Sequence, residues 1–265
     1  IPAGALIDRF GLRRSLAAGI ILVALSGLLR AVAVNYATMF LAVAVFGLGG
    51  PFISIGAPKL ISVWFNRKDR GLAMGIYMIA APIGRIVTLA TANSIFMPLY
   101  RSSWRFTLAT YGGVALLTGI LWWVMARDSE RSGGAGQDTS KSLAAGMKVF
   151  PLLLRVRVVR TILVITFGSF FFSHAFNNWL PEILRAGGMT AAEAGLWSIL
   201  PIVVGMGAIL VVPLLAKPRR RIPMLAVVFL ASGAAALIVG TTTGAPLTAG
   251  LVVQGAASRG VLPII

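Results

Sequence analysis

The sequence predicts an all-α fold, a polytopic bundle of transmembrane helices. Three observations carry this. Hydrophobic residues make up 58% of the 265-residue chain and charged residues 12%, with a mean hydropathy of +0.90. A soluble domain carries about 25% charged residues. The apolar residues gather into stretches of about 20, the length that crosses a bilayer as a helix. The loops between these stretches alternate in charge.

The elements follow in order. The opening "IPAGALIDRF" has no start methionine and no basic n-region. It reads as the tail of an earlier apolar segment and not as a signal peptide, so the chain reads as a fragment. The first complete span is 15–34. The second, 37–65, carries Gly47, Gly49 and Gly50. The third is 71–97 and the fourth 104–126. Glycines such as Gly71 and Gly75 are spaced to let helix backbones approach. A polar stretch, 127–148, centres on "SERSGGAGQDTSKS" and reads as a flexible linker. The fifth span is 158–184, the sixth 191–215 and the seventh 222–241. An eighth begins at Pro246.

The charges divide by side. One side holds Arg9, Arg13, Arg14, Lys59, Arg67, Lys68 and Arg70. It also holds the linker cations from Arg127 to Arg160, and Lys217, Arg219, Arg220 and Arg221. The other side holds Arg30, Arg101, Arg105 and Arg185. An excess of Lys and Arg marks the cytoplasmic loops. The net charge of +17 is therefore an orientation signal, and nucleic acid is not an expected partner. The lipid bilayer is. Trp64, Trp104, Trp122, Trp123 and Trp179 fall near span ends, where tryptophan anchors at the interface. With no cysteine, disulfides and thiolate metal sites are excluded.

Two loops and one helix pair carry a family resemblance. "GALIDRFGLRR" (4–14) resembles the signature loop that follows the second helix of the major facilitator superfamily, G-x-L-A-D-[RK]-x-G-[RK]-[RK]-x. Gly4, Leu6, Asp8, Arg9, Gly11 and Arg13 match, and Arg14 extends the basic run. Ile7 replaces a small residue and Leu12 a basic one. "WFNRKDRGLAMGI" (64–76) is similar to that family's loop between helices four and five. "NNWLPEILRAGGMTAAEAGL" (177–196) resembles helices seven and eight of the cyanate and nitrate/nitrite-type porters and their organic-anion relatives. "AAPIGRI" (80–86) approaches the antiporter motif, but Arg85 and Ile86 stand in place of its last glycines, which disfavours the drug antiporters.

The resemblance implies two pseudo-symmetric helical halves. Residues 1–126 would be the N-terminal half, from the end of helix two to helix six. Residues 127–157 would be the cytoplasmic central linker, and 158–265 the C-terminal half, from helix seven to part of helix ten. Helices one, eleven and twelve are absent from this stretch. The implied function is secondary active transport by alternating access, by a monomer in the cell membrane. Gly4, Asp8, Arg9, Gly11, Arg13 and Arg14 would form a cytoplasmic gate. In it, Asp8 meets the positive N-terminus of a facing helix, and the arginines sit on anionic headgroups.

An ionisable group deep in a span costs about 2.5–3.5 kcal/mol on insertion scales and marks a functional candidate. Arg85 and Arg259 qualify. By the family pattern they lie on helices five and ten, which line the central cavity. A guanidinium there suits a planar oxyanion, held bidentately. The structural alternative is an arginine bonded to carbonyls of a broken helix. Lys59, nearer its cytoplasmic end, is expected to snorkel. On helix seven, Ser169, Ser173 and Asn177 recur every four residues and share one face, flanked by His174 and Asn178. Imidazole changes charge near neutral pH, so His174 is open to a proton role or a packing role.

The expected solute is a small organic or inorganic anion held by Arg85, Asn177, Arg259, His174 and Ser173, with a coupling proton or ion left open. A cationic drug or metabolite efflux transporter is the alternative. It would want a central carboxylate, yet Glu182, Glu193 and Asp69 all fall near span ends or in loops. An integral-membrane enzyme is a further alternative. One histidine, no cysteine and seven scattered carboxylates give it little to work with. No phosphate-cradling G-x-x-x-x-G-K-[ST] loop is present, and neither metal nor cofactor is expected.

Overall fold

The computed structural model describes residues 2–126, 154–215 and 221–260, and the side chains of 3–126, 154–208 and 223–258. The linker before residue 154 lies outside these. So do Lys217, Arg219 and Arg220, and the side chain of Arg259.

All regular structure among the described residues is helical. The helices are α1 (Pro2–Phe10), α2 (Leu12–Ala31), α3 (Tyr36–Trp64), α4 (Arg70–Thr91) and α5 (Trp104–Met125). After them come α6 (Arg157–Ala186), α7 (Ala191–Trp197), α8 (Leu200–Leu215), α9 (Arg221–Thr241) and α10 (Gly244–Gly260). Past Thr91, α4 widens into a π-helical turn, Ala92–Phe96, and ends at Leu99. Seven helical segments among the described residues are long and apolar enough to cross a membrane.

Local chemistry sets the boundaries. Gly11, at φ +84°, parts α1 from α2. A residue with a Cβ is strained there. Asn35 caps α3, with its side chain accepting from the Thr38 amide while the Thr38 hydroxyl accepts from the Asn35 amide, a capping box. Thr190 and Glu193 make the same device at α7. The sixth span, expected to be continuous, breaks at Ser198–Ile199 into α7 and α8. Pro201 is the reason: it has no N–H to offer Trp197, and its ring crowds that carbonyl.

The described residues pack as two compact units. One draws on Ile1–Met78 and Phe96–Leu153, the other on Ile79–Ile95 and Leu154–Ile265, so α4 contributes to both.

In the first unit α2 is the central helix, with α3 and α5 packed on it. Small residues let the backbones meet. A Cβ on Gly49 would stand 2.8 Å from the Gly19 carbonyl oxygen and 2.9 Å from Leu22 Cβ. A Cβ on Gly27 would stand 3.0 Å from Gly112 Cα. Gly71 and Gly75, expected at such a crossing, meet nothing within 4 Å. Their part of α4 has no described helix against it on that side.

In the second unit, an apolar cluster joins Phe176, Leu180 and Leu184 of α6, Ala194 of α7, Val239 of α9, and Leu247 and Leu251 of α10. Gly255 lets α10 lie against the start of α8, because a Cβ there would stand 2.5 Å from the Pro201 carbonyl oxygen.

Candidate solute cavity and cytoplasmic motif

Below the apolar cluster, the same α6 face turns polar. A cavity of about 90 Å³ is lined by Arg85 of α4, by Ser169, Phe170, Ser173, His174 and Asn177 of α6, and by Ser258 of α10. That is room for a few waters or a small solute. The four-residue spacing read from the sequence is what aligns Ser169, Ser173 and Asn177 on this wall. Asn178, which the sequence placed beside them, does not line it.

Arg85 brings the one permanent charge among the described lining residues. It donates a hydrogen bond from Nη2 to the backbone carbonyl of Asn177. The cause is local. In a regular helix that carbonyl would accept from residue 181, but residue 181 is proline and has no N–H. An orphaned carbonyl in a low-dielectric setting is costly, and Arg85 supplies the missing donor. This bond is of the kind weighed as the structural alternative for this arginine, and the carbonyl belongs to α6. A guanidinium has five donors in a fixed fork, so the cation also charges the cavity.

The other expected residues take distinct places. Asn177 turns its side-chain nitrogen inward, donating to the Ser173 carbonyl at 2.7 Å and lying 3.3 Å from its hydroxyl. His174 stacks on Phe170, with ring centroids 5.8 Å apart. Arg259 follows Ser258 on α10, but its side chain lies outside the described residues. Ser258 was missed in the sequence, where a lone serine beside an arginine gave no periodic signal.

The motif expected on the cytoplasmic side splits between two neighbours. Asp8, near the end of α1, forms an ion pair with Lys59 of α3. Lys59 thus does not simply snorkel, as expected; a carboxylate lies within reach at the same depth. Arg13 goes the other way. Its guanidinium donates to the Trp123 carbonyl at 2.7 Å and lies 4.9 Å from the centre of the Trp123 ring. The Trp122 indole N–H donates back to the Arg13 carbonyl at 3.2 Å. Arg9 and Arg14 are exposed. Gly4 has open space where a Cβ would stand.

Helices long and apolar enough to cross a membrane, with a small polar cavity in the second unit, fit the class of membrane transport proteins. Comparison with known proteins supplies the family: the model of the Major Facilitator Superfamily matches residues 1–265, and the chain belongs to that superfamily. It is 24% identical over 221 residues to the "Probable L-galactonate transporter" of Escherichia coli (strain K12), covering 80% of this chain and 48% of that protein. It is 26% identical over 141 residues to the "Nitrate/nitrite transporter NrtP" of Nostoc punctiforme, covering 49% of this chain and 28% of that one. The chain thus spans about half, or less, of the length of these curated relatives.

Among solved structures, the D-xylose-proton symporter aligns with a TM-score of 0.64 at 17% identity. That alignment covers 99% of this chain and 66% of the symporter, a likeness of fold. The all-α membrane expectation is borne out. Members of this superfamily are multi-pass proteins of the cell membrane that carry small solutes and are not enzymes.

Proposed function

We propose that the chain is part of a secondary active transporter that moves a small organic or inorganic anion by alternating access. The observation that carries this reading is the cavity itself: its described wall holds one guanidinium, three serines, an asparagine and a histidine, and no carboxylate. A part-buried guanidinium on a polar wall suits an anionic solute, which its planar fork can hold bidentately. Two relatives lend support, one named for galactonate and one for nitrate and nitrite. In this reading Arg85 attracts the anion, Ser173, His174 and Asn177 shape the site, and Arg259 is a further candidate to bind it. The Asp8–Lys59 pair holds the cytoplasmic motif in one of its two states. Residues 1–126 and 158–265 serve as the two halves around the linker 127–157, and no cofactor takes part. Cysteines placed at Ser132 and Ser102 then react from opposite sides of intact cells.

The deciding experiment uses the full-length parent protein in proteoliposomes. Uptake of galactonate and of nitrate is measured for wild type, Arg85→Lys and Arg85→Ala, with thermal unfolding recorded for each. At least one anion is taken up by wild type. Arg85→Lys keeps the charge and one donor but loses the planar fork. It is expected to bind weakly yet fold, whereas Arg85→Ala is expected to lose both binding and part of its stability. Undiminished anion binding by a folded Arg85→Ala protein would make the residue purely structural and remove the main support for an anion.

A further inference from the structure

Gln254 is the residue the cavity leaves unexplained. It lies on α10 and is 1% exposed. Both its side-chain nitrogen and its oxygen are buried without a hydrogen-bond partner among the described residues. Buried amides in native proteins are nearly always paired, so two orphaned atoms on one side chain call for a partner.

Its position follows from two independent facts. Leu247 and Leu251 of α10 join the apolar cluster with Phe176, Leu180 and Leu184 of α6. Ser258 of α10 lines the polar cavity with Ser169, Ser173 and Asn177 of α6. The two helices therefore run antiparallel along this face. Leu247, Leu251, Gln254 and Ser258 follow a three-or-four spacing and share one stripe. Gln254 stands where the apolar cluster gives way to the cavity, one turn, or about 6 Å of helix rise, beyond Ser258. Its side chain is already buried in this structure.

We propose that Gln254 is a solute-binding residue that reads a hydroxyl group, and that the solute is a hydroxylated carboxylate. This rests on the anion reading above and narrows it. A carboxamide offers two N–H donors and a carbonyl acceptor. Nitrate, or a carboxylate on a plain hydrocarbon, brings acceptors only and would leave the amide oxygen unpaired. A hydroxyl donates and accepts, so it satisfies both ends of the amide. Asn177 is poorly placed for this role, because its amide nitrogen is engaged by Ser173. A solute with its carboxylate at Arg85 and a hydroxyl at Gln254 must reach past the cavity as it now stands. When the apolar cluster parts, the amide joins the cavity and the site lengthens. In the present state that end is shut.

The test compares gluconate, hexanoate and nitrate on the purified full-length transporter by calorimetry, for wild type and Gln254→Leu. Gluconate and hexanoate share a six-carbon carboxylate and differ in the hydroxyls. Wild type is expected to bind gluconate at least about tenfold more tightly than hexanoate or nitrate, as a site built to pair a hydroxyl does. Gln254→Leu is expected to weaken gluconate about tenfold or more and to leave hexanoate unchanged. Its thermal midpoint should hold or rise, since the substitution removes an unpaired amide of similar volume.

If Gln254→Leu folds and keeps the wild-type preference for gluconate, the amide serves a buried water and the proposal is overturned. If wild type binds all three without preference, the anion reading stands and the hydroxyl reading falls. If wild type binds none of them, both fall. Should the leucine variant not fold, Gln254→Met replaces it under the same criteria. A loss of the fold in both would assign Gln254 a purely structural role and overturn the proposal.

Discussion

The face of α2 in the first unit and the face of α6 in the second are built on opposite plans. Along α2, Gly19 meets Gly49 and Gly27 meets Gly112, so backbone lies against backbone. Of the two buried serines there, Ser26 donates its hydroxyl to the Ala42 carbonyl at 2.7 Å, while the Ser15 hydroxyl has no hydrogen-bond partner among the described residues. Along α6, one end is closed by leucines and phenylalanine, and the other is hollow and polar. Its main-chain pairing is incomplete at Asn177 until Arg85 completes it. In a membrane, where lipid is as apolar as leucine, close packing of small residues holds helices together. The first face spends its residues on that. The second leaves space lined by polar side chains, the feature a solute can use. A filled crossing marks a rigid block; a hollow crossing marks a site.

The contrast can be broken first at its tightest point. Gly49→Leu should cost the most, because its side chain would meet the Gly19 carbonyl and Leu22 at once. Overpacking of this kind costs about 1–3 kcal/mol or more. The expected outcome is loss of monodisperse protein on size-exclusion chromatography, while Gly75→Leu, facing open space, behaves as wild type. Equal yields for the two would dissolve the distinction between a filled and a hollow face.

Next comes Arg85→Ala on the hollow side. Anion binding should fall at least about tenfold, since a charge-assisted, forked contact is lost. Adding Pro181→Ala to that variant restores a backbone donor for Asn177. It should recover thermal stability without recovering binding. If both properties return together, the arginine acts through the helix alone.

A smaller effect is expected at the cytoplasmic motif. Lys59→Met leaves Asp8 without its partner, so transport should drop and cysteine labelling of the cytoplasmic face should rise. Pairing it with Asp8→Asn should restore part of the loss. Additive losses in the double variant would show that the two charges act apart.

The smallest change is Trp122→Phe. It removes one hydrogen bond to the Arg13 carbonyl and keeps the ring, a cost of about 0.5–1.5 kcal/mol. Unfolding should shift slightly while transport stays near wild type.

Much of the fold was legible because hydrophobic length is a direct physical requirement of the bilayer. The spans at 15–34, 37–65, 104–126 and 158–184 fall on α2, α3, α5 and α6. The break between α7 and α8 was missed, although Pro201 was in view, because hydropathy does not register one missing N–H. The polar wall was legible from its four-residue period. Its partners were not. Nothing in the sequence said that Arg85 would reach a carbonyl 92 residues away, that Lys59 would meet Asp8, or that Ser258 would close the wall. Those pairings depend on which helices cross, and crossings are set by the placement of small residues on several helices together. Gln254 was invisible for a simpler reason: a glutamine in an apolar run shows its lack of a partner only after its neighbours are placed.

The Arg85 bond to the Asn177 carbonyl has an evolutionary consequence. One side chain both charges the cavity and completes a proline-interrupted helix, so the two traits cannot drift separately. A descendant that loses the arginine keeps an orphaned carbonyl in the membrane unless it also loses Pro181. A descendant that first loses Pro181 frees its arginine to be replaced. Across homologous chains, positions 85 and 181 should therefore change as a linked pair, with proline at 181 found where position 85 carries a long donor. If the cavity holds the solute as proposed, solute preference can change readily only in lineages where the proline has gone first.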